Sequence, residues 1–171
     1  RDSGSGNIGA TNVLRTCGRA IAVLTLVLDG AKGYLAVVLT SRFISQESTT
    51  MALATAAVVL GHVFPIFLNF RGGKGVATSA GAFLALSVVA VLGAFLVFGI
   101  VVTLTRIVSL GSITAGALFP LLYFFIAHNS NTSLSLVFVV SFCSALVLLR
   151  HQENIRRLLI GTENKLTGQK K

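Results

Sequence analysis

The chain has 171 residues, of which 54% are hydrophobic and 11% are charged, with 14 Lys+Arg against 5 Asp+Glu and a formal charge of +9. A soluble domain carries about 25% charged residues, so this composition excludes an ordinary soluble fold and points to one membrane-embedded domain. It also excludes nucleic-acid binding, because so apolar a chain has little polar surface to spare for it, and assigns the positive excess to loops facing an anionic leaflet.

The chain opens "RDSGSGNIGATNVLR", with no methionine and no apolar leader, and reads as lacking its natural N-terminus. Gly4, Gly6 and Gly9 alternate with a hydroxyl at Ser5 and amides at Asn7 and Asn12, and Arg15 follows one turn into a helix. Thr11 or Asn12 as a helix cap in a glycine loop explains one residue of this stretch. A phosphate-facing loop explains all nine.

Apolar runs follow at about 20–41, 51–68, 76–105, 112–127 and 133–149, and helix is the only state that satisfies their backbones in lipid. The first run holds Asp29 and Lys32 at i, i+3, an intramembrane ion pair read as structural. After the second run comes "GHVFPIFLNFRGGKGVATS", where Gly72, Gly73 and Gly75 surround Lys74 and Thr78 and Ser79 open a helix. Backbone amides, a cation and a helix N-terminus together suit an anion. The bland alternative is a flexible turn with a topology-setting lysine. No strand precedes a GxxxxGK[ST] pattern, so this is not a P-loop.

The run 76–105 decides the topology. As one helix it would be roughly 45 Å long, too long for a hydrocarbon core of about 30 Å. As two passes turning near Gly93, it puts Arg15, Arg19, Arg71, Lys74, Arg106 and the basic tail on one side. The other side keeps only "TSRFISQESTT", the Gly93 turn and "HNSNTS". One pass would place Arg106 and the basic tail outside, against the positive-inside rule. The expectation is therefore an all-α integral membrane protein with six transmembrane helices. Its site lies on the cytoplasmic face, built from loops and a C-terminal amphipathic segment.

"RIVSLGS" offers Ser112 as either a helix cap or a ligand. In "RHQENIRRLLIGTENK", His151, Asn154 and Arg157 share one helical face, unless the segment merely lies on lipid phosphates. Cys17 and Cys143, and the histidines 62, 128 and 151, show no metal spacing. The residues five after these histidines are Phe67, Ser133 and Arg156, so a His–Asp acyltransferase dyad is excluded, as are GxSxG and HExxH.

The blocks "GSGNIGATNVLR", "LDGAKG", "GHVFPIFLNFRGGKGVAT", "SLGSI" and "HQENIRRLLIGTENK" together resemble, in order and across essentially the whole chain, the bacterial membrane glycerol-3-phosphate acyltransferases that use acyl phosphate, the PlsY family. The resemblance implies a further helix before the first block, so that this chain carries six of seven. It also implies transfer of a fatty acyl group from acyl phosphate to the 1-hydroxyl of glycerol 3-phosphate in the bacterial inner membrane. Lysophosphatidic acid and phosphate are formed at the first step of phospholipid synthesis, with no metal or organic cofactor. Functional coupling to an enzyme that makes acyl phosphate follows.

Carried onto these residues, Ser5 and the amides around Gly4 and Gly6, with Gly72, Gly73 and Gly75, hold the donor phosphate, and Asn7 binds substrate. Lys74 bridges both phosphates, and Asn12 belongs to the same substrate-binding set. Arg15, Ser112, His151 and Asn154 hold glycerol 3-phosphate; His62 orients the glycine block; and the substrate phosphate or His151 takes the hydroxyl proton. An anion transporter is the competing class, but glycine loops at span ends on one face favour an enzyme. A lipid-binding scaffold would leave four polar blocks surplus.

Overall fold

The computed structural model describes residues 8–127 and 133–166; Gly4, Ser5, Gly6, Asn7 and His128 lie outside them. Among the described residues the order is α1 (Ala10–Thr16), α2 (Arg19–Phe43), α3 (Ser48–Val63), a 3-10 turn (Ile66–Leu68), α4 (Val76–Leu86), α5 (Val88–Thr105), α6 (Val108–Ala127), α7 (Leu134–Leu149) and α8 (Gln152–Leu159). Among the described residues four helices are long and apolar enough to cross a membrane, or five if α7 and α8, bent by 54° at the break between them, make one span. The bundle is apolar outside as well as inside: Leu104, Phe125, Leu134 and Phe138 are all exposed, as lipid permits and water does not.

The run 76–105 does break, but at Ser87 and not near Gly93. Ser87 has an extended backbone, and its hydroxyl accepts the Ala90 amide at 3.3 Å. A serine satisfies an orphan amide at a helix start. A glycine has no side chain to accept from such an amide. Gly93 instead sits inside α5, where an added methyl group would meet Leu122 of α6 at 3.7 Å.

The α4 helix has 11 residues, about 16 Å, short of a hydrocarbon core of about 30 Å. It lies against α2 at a crossing of three glycines. A methyl group on Gly33 would overlap the Thr78 carbonyl oxygen, and one on Gly81 would overlap that of Gly30. Small residues let helix backbones approach closely where lipid offers no hydrophobic drive. Beside this crossing the core runs through Val59, Val63, Phe83, Phe119, Val140 and Cys143. Phe83 and Phe119 stack with ring centroids 4.4 Å apart.

The start of α4 and the end of α5 meet at one pole of the bundle. Lys74 bonds Asn154 after α7, and the Leu166 amide donates to the Arg106 carbonyl at 2.6 Å. The chain between 76 and 105 thus leaves this pole and comes back to it.

Candidate active site

All eight α-helices contribute to the lining of a cavity of about 650 Å³ at that pole. Its mouth carries Arg15, Lys74, His151, Asn154 and Arg157, and its deep end Phe83, Val91, Ala94, Phe95 and Phe119. A charged mouth on a greasy tube suits a ligand with a phosphate head and a hydrocarbon tail.

Gly9 caps α1, so Thr11 and Asn12 are helical and neither is the cap. Asn12, Arg15 and Thr11 line the cavity, and Asn12 is buried. Gly18, at φ 88°, turns the chain into α2.

The glycine block works differently from its sequence reading. The Gly72 amide donates to the Val63 carbonyl at 3.0 Å and the Gly73 amide to that of His62 at 3.2 Å. Both amides are committed to the end of α3, and neither glycine lines the cavity. They are glycines because of close approach: a methyl group on Gly72 would overlap the His62 carbonyl oxygen, and one on Gly73 the His62 ring. Gly75, at φ 85°, is left-handed, caps α4 and does line the cavity beside Lys74.

His62 supports this block from beneath. Lys32 Nζ lies 2.5 Å from Asp29 Oδ1 and 2.6 Å from His62 Nδ1. An ammonium only donates, so Nδ1 is the acceptor and Nε2, toward Gly73, carries the hydrogen. The intramembrane pair is thus a triad whose third member holds the loop.

The cations are set by one carboxylate. After α8 the chain turns back at Gly161 (φ 71°), with Thr162 N on Arg157 O at 2.8 Å and Gly161 N on Leu158 O at 3.1 Å. These paired bonds are a Schellman cap, and they bring Glu163 back beneath its own helix. Glu163 Oε1 accepts from Ser109 Oγ at 2.8 Å and Asn154 Nδ2 at 2.7 Å, and Oε2 from Arg157 Nε at 2.7 Å. Burial raises the Glu163 carboxyl, but the hydrogen bonds from Ser109, Arg157 and Asn154 outweigh it and keep it below the usual carboxylate value. With its amide nitrogen on Glu163, Asn154 must turn Oδ1 outward, and it receives Lys74 Nζ there at 2.5 Å. Burial lowers the Lys74 ammonium from its ordinary value, opposed by the charge of Glu163.

His151, at the bend before α8, is buried, with Nδ1 2.7 Å from the Val147 carbonyl. The carbonyl only accepts, so Nδ1 carries the hydrogen and Nε2 keeps its lone pair. Burial pushes its pKa down to about 4, partly resisted by the Val147 bond and reinforced by Lys74. The folded state therefore disfavours the imidazolium. Its contribution to stability is complete above the ordinary value of 6.5 and is lost as pH falls toward 4, a gap equivalent to about 3 kcal/mol. The parent in detergent is expected to lose thermal stability between pH 7 and 5, and His151→Gln to lose much less. Parallel pH profiles would refute the burial account.

Ser112 is the fifth residue of α6, not its cap; its hydroxyl donates to Val108 O at 3.1 Å and it lines the cavity. Sequence reasoning missed Glu163 and the role of Ser109. The available signal was a lone acid two residues after a helix-ending glycine, among many cations.

The model of the glycerol-3-phosphate acyltransferase family matches residues 1–161. The chain belongs to this family. Among its acyltransferase relatives, that of Geobacter sulfurreducens is 48% identical over 165 residues and that of Syntrophotalea carbinolica 47%, each match covering 96% of this chain and 82% of the relative. The crystal structure of PlsY (YgiH), an integral membrane glycerol 3-phosphate acyltransferase, is similar in its glycerol 3-phosphate form with a TM-score of 0.90 at 39% identity, covering 98% of this chain and 82% of that one. Its lysophosphatidic acid form gives a TM-score of 0.87, with 95% and 81% covered. This acyltransferase chain is accordingly a multi-pass membrane enzyme.

Proposed function

We propose that the chain, a single domain over 1–171, transfers a fatty acyl group from acyl phosphate to the 1-hydroxyl of glycerol 3-phosphate. Lysophosphatidic acid and inorganic phosphate leave, with no acyl-enzyme intermediate and as the first step of bacterial phospholipid synthesis. The observation that carries this reading is Lys74, held by Asn154 among Arg15, Arg157 and His151 where a polar mouth opens onto an apolar cavity.

Acyl phosphate is a mixed anhydride with a good leaving group, so the protein needs only to align two phosphate-bearing molecules and stabilise growing charge. Lys74 lies between the two phosphates. Ser5, with the backbone around Gly4, Gly6, Asn7 and Gly75, holds the donor phosphate, while Asn12, Arg15, Ser112, His151 and Asn154 hold glycerol 3-phosphate. Gly72, Gly73 and His62 act by fixing the loop that carries Lys74. The glycerol oxygen bonds the acyl carbon, the carbon–oxygen bond to phosphate breaks, and the hydroxyl proton leaves with the phosphate, directly or through His151 Nε2.

The site faces the cytoplasm of a bacterial inner membrane, at the pole where the cations gather. The chain crosses six times, with α4 and α5 as one short and one full pass. An enzyme that produces acyl phosphate is its functional partner. The detergent-purified full chain, given acyl phosphate and labelled glycerol 3-phosphate without added metal, is expected to form labelled lysophosphatidic acid. No product under these conditions would overturn the reading.

A further inference from the structure

Helical hydroxyls in this bundle usually satisfy themselves. Those of Thr25, Thr55, Thr105 and Ser141 each donate to the carbonyl four residues back. Ser79 and Ser144 do not. Both are buried, at 4% and 3% exposure, and neither hydroxyl has a hydrogen-bond partner among the described residues. A buried hydroxyl left unpaired is costly, and native structures rarely tolerate one without a reason. Thr78 Oγ1 is also unpaired, but it lies in the glycine crossing of α2 and α4. Ser79 and Ser144 instead line the cavity.

Their level is set by Gly75, where an added methyl group would lie 3.6 Å from Val147 of α7. From there α4 runs inward and α7 runs outward. Ser79, one turn beyond Gly75, and Ser144, nearly one turn before Val147, therefore stand at one depth on two helices. That depth is one to two turns inside Lys74 and His151 along the chain, where the polar mouth gives way to the apolar tube.

We infer that the Ser79 and Ser144 hydroxyls receive the carbonyl oxygen of the acyl donor and stabilise the negative charge that develops on it. This rests on the proposed acyl transfer. Beyond its phosphate, an acyl phosphate has one further acceptor, the carbonyl oxygen, followed only by hydrocarbon. A pair of donors just inside a phosphate site and just before an apolar cavity matches that order of groups. When the glycerol oxygen attacks, the carbonyl π pair moves onto this oxygen, between the two hydroxyls. Its return breaks the carbon–oxygen bond to phosphate. Donors aimed where charge develops act on the rate more than on binding of the other substrate.

The test is the rate of lysophosphatidic acid formation by the parent chain, Ser79→Ala, Ser144→Ala, the double variant and Ser79→Thr, with thermal unfolding of each. Each alanine variant is expected to lower kcat by about 10- to 100-fold, leave KM for glycerol 3-phosphate unchanged and keep or raise the unfolding temperature; Ser79→Thr regains most of the rate. A purely structural serine would lower the unfolding temperature and spare kcat. Alanine variants as fast as an active parent overturn the inference, whereas an inactive parent overturns the acyl-transfer reading itself. Independently of any variant, a carbon-13 carbonyl acyl phosphonate bound to the parent is expected to show a lowered carbonyl stretch in the infrared. A frequency equal to that in empty detergent micelles would also overturn the inference.

Discussion

Replacing Lys74 by alanine is expected to lower the rate of lysophosphatidic acid formation by about 10²- to 10³-fold, the range for loss of one preorganised charge donor in a dry site. The ammonium is held at 2.5 Å by Asn154, which Glu163 orients in turn, so its position is prepared before substrate arrives. Stability should change little, because no core contact is lost and a desolvated cation is removed. Lys74→Arg should not restore the rate, since a longer planar fork does not occupy the place of a compact ammonium. Initial rates and unfolding temperatures measured together check this. A variant at or near the parent rate would take Lys74 out of the reacting set.

The second large effect concerns the fold. Gly81→Ala places a methyl group against the Gly30 carbonyl oxygen, which belongs to helix backbone and cannot rotate aside. The α2 and α4 helices must then part, and α4 carries the end of the glycine block. A loss of about 3 kcal/mol or more is expected, at the upper end of overpacking effects, with loss of activity alongside. Gly61→Ala is the control: nothing lies within 4 Å of its added methyl group, and alanine favours helix by about 1 kcal/mol over glycine. Equal unfolding temperatures for the two variants in detergent would refute the close crossing.

Much of this architecture was legible because lipid leaves few choices. Helix followed from the apolar runs, and the gathering of cations at one pole followed from their parity along the chain. What escaped the sequence did so for definite reasons. Gly93 and Ser87 both sit in the run that had to break, and a glycine is the more obvious breaker. A break also needs an acceptor for the freed amides, however, and of the two side chains only the serine supplies one. Gly72 and Gly73 looked like an anion cradle because a glycine needed for bare amides and one needed for close approach are the same letter. The structure shows the second use, against His62 and Val63. Asp29 and Lys32 were visible as a pair three positions apart, but His62 joins them from 30 residues away, beyond any local pattern. Glu163 is the most instructive omission. Its role depends on the Gly161 turn, and a charge tally of the tail counts it only as one acid among bases.

That turn also orders events during synthesis. Arg15, Lys74 and His151 emerge from the ribosome one after another, yet the carboxylate that aligns Asn154 and Arg157, and through Asn154 receives Lys74, comes only at residue 163. A nascent chain halted at residue 160 would hold nearly all its helices but not this acceptor. The carboxylate that orients the site is therefore the last of its groups to be made, and until then Asn154 and Arg157 lack the acceptor that fixes them.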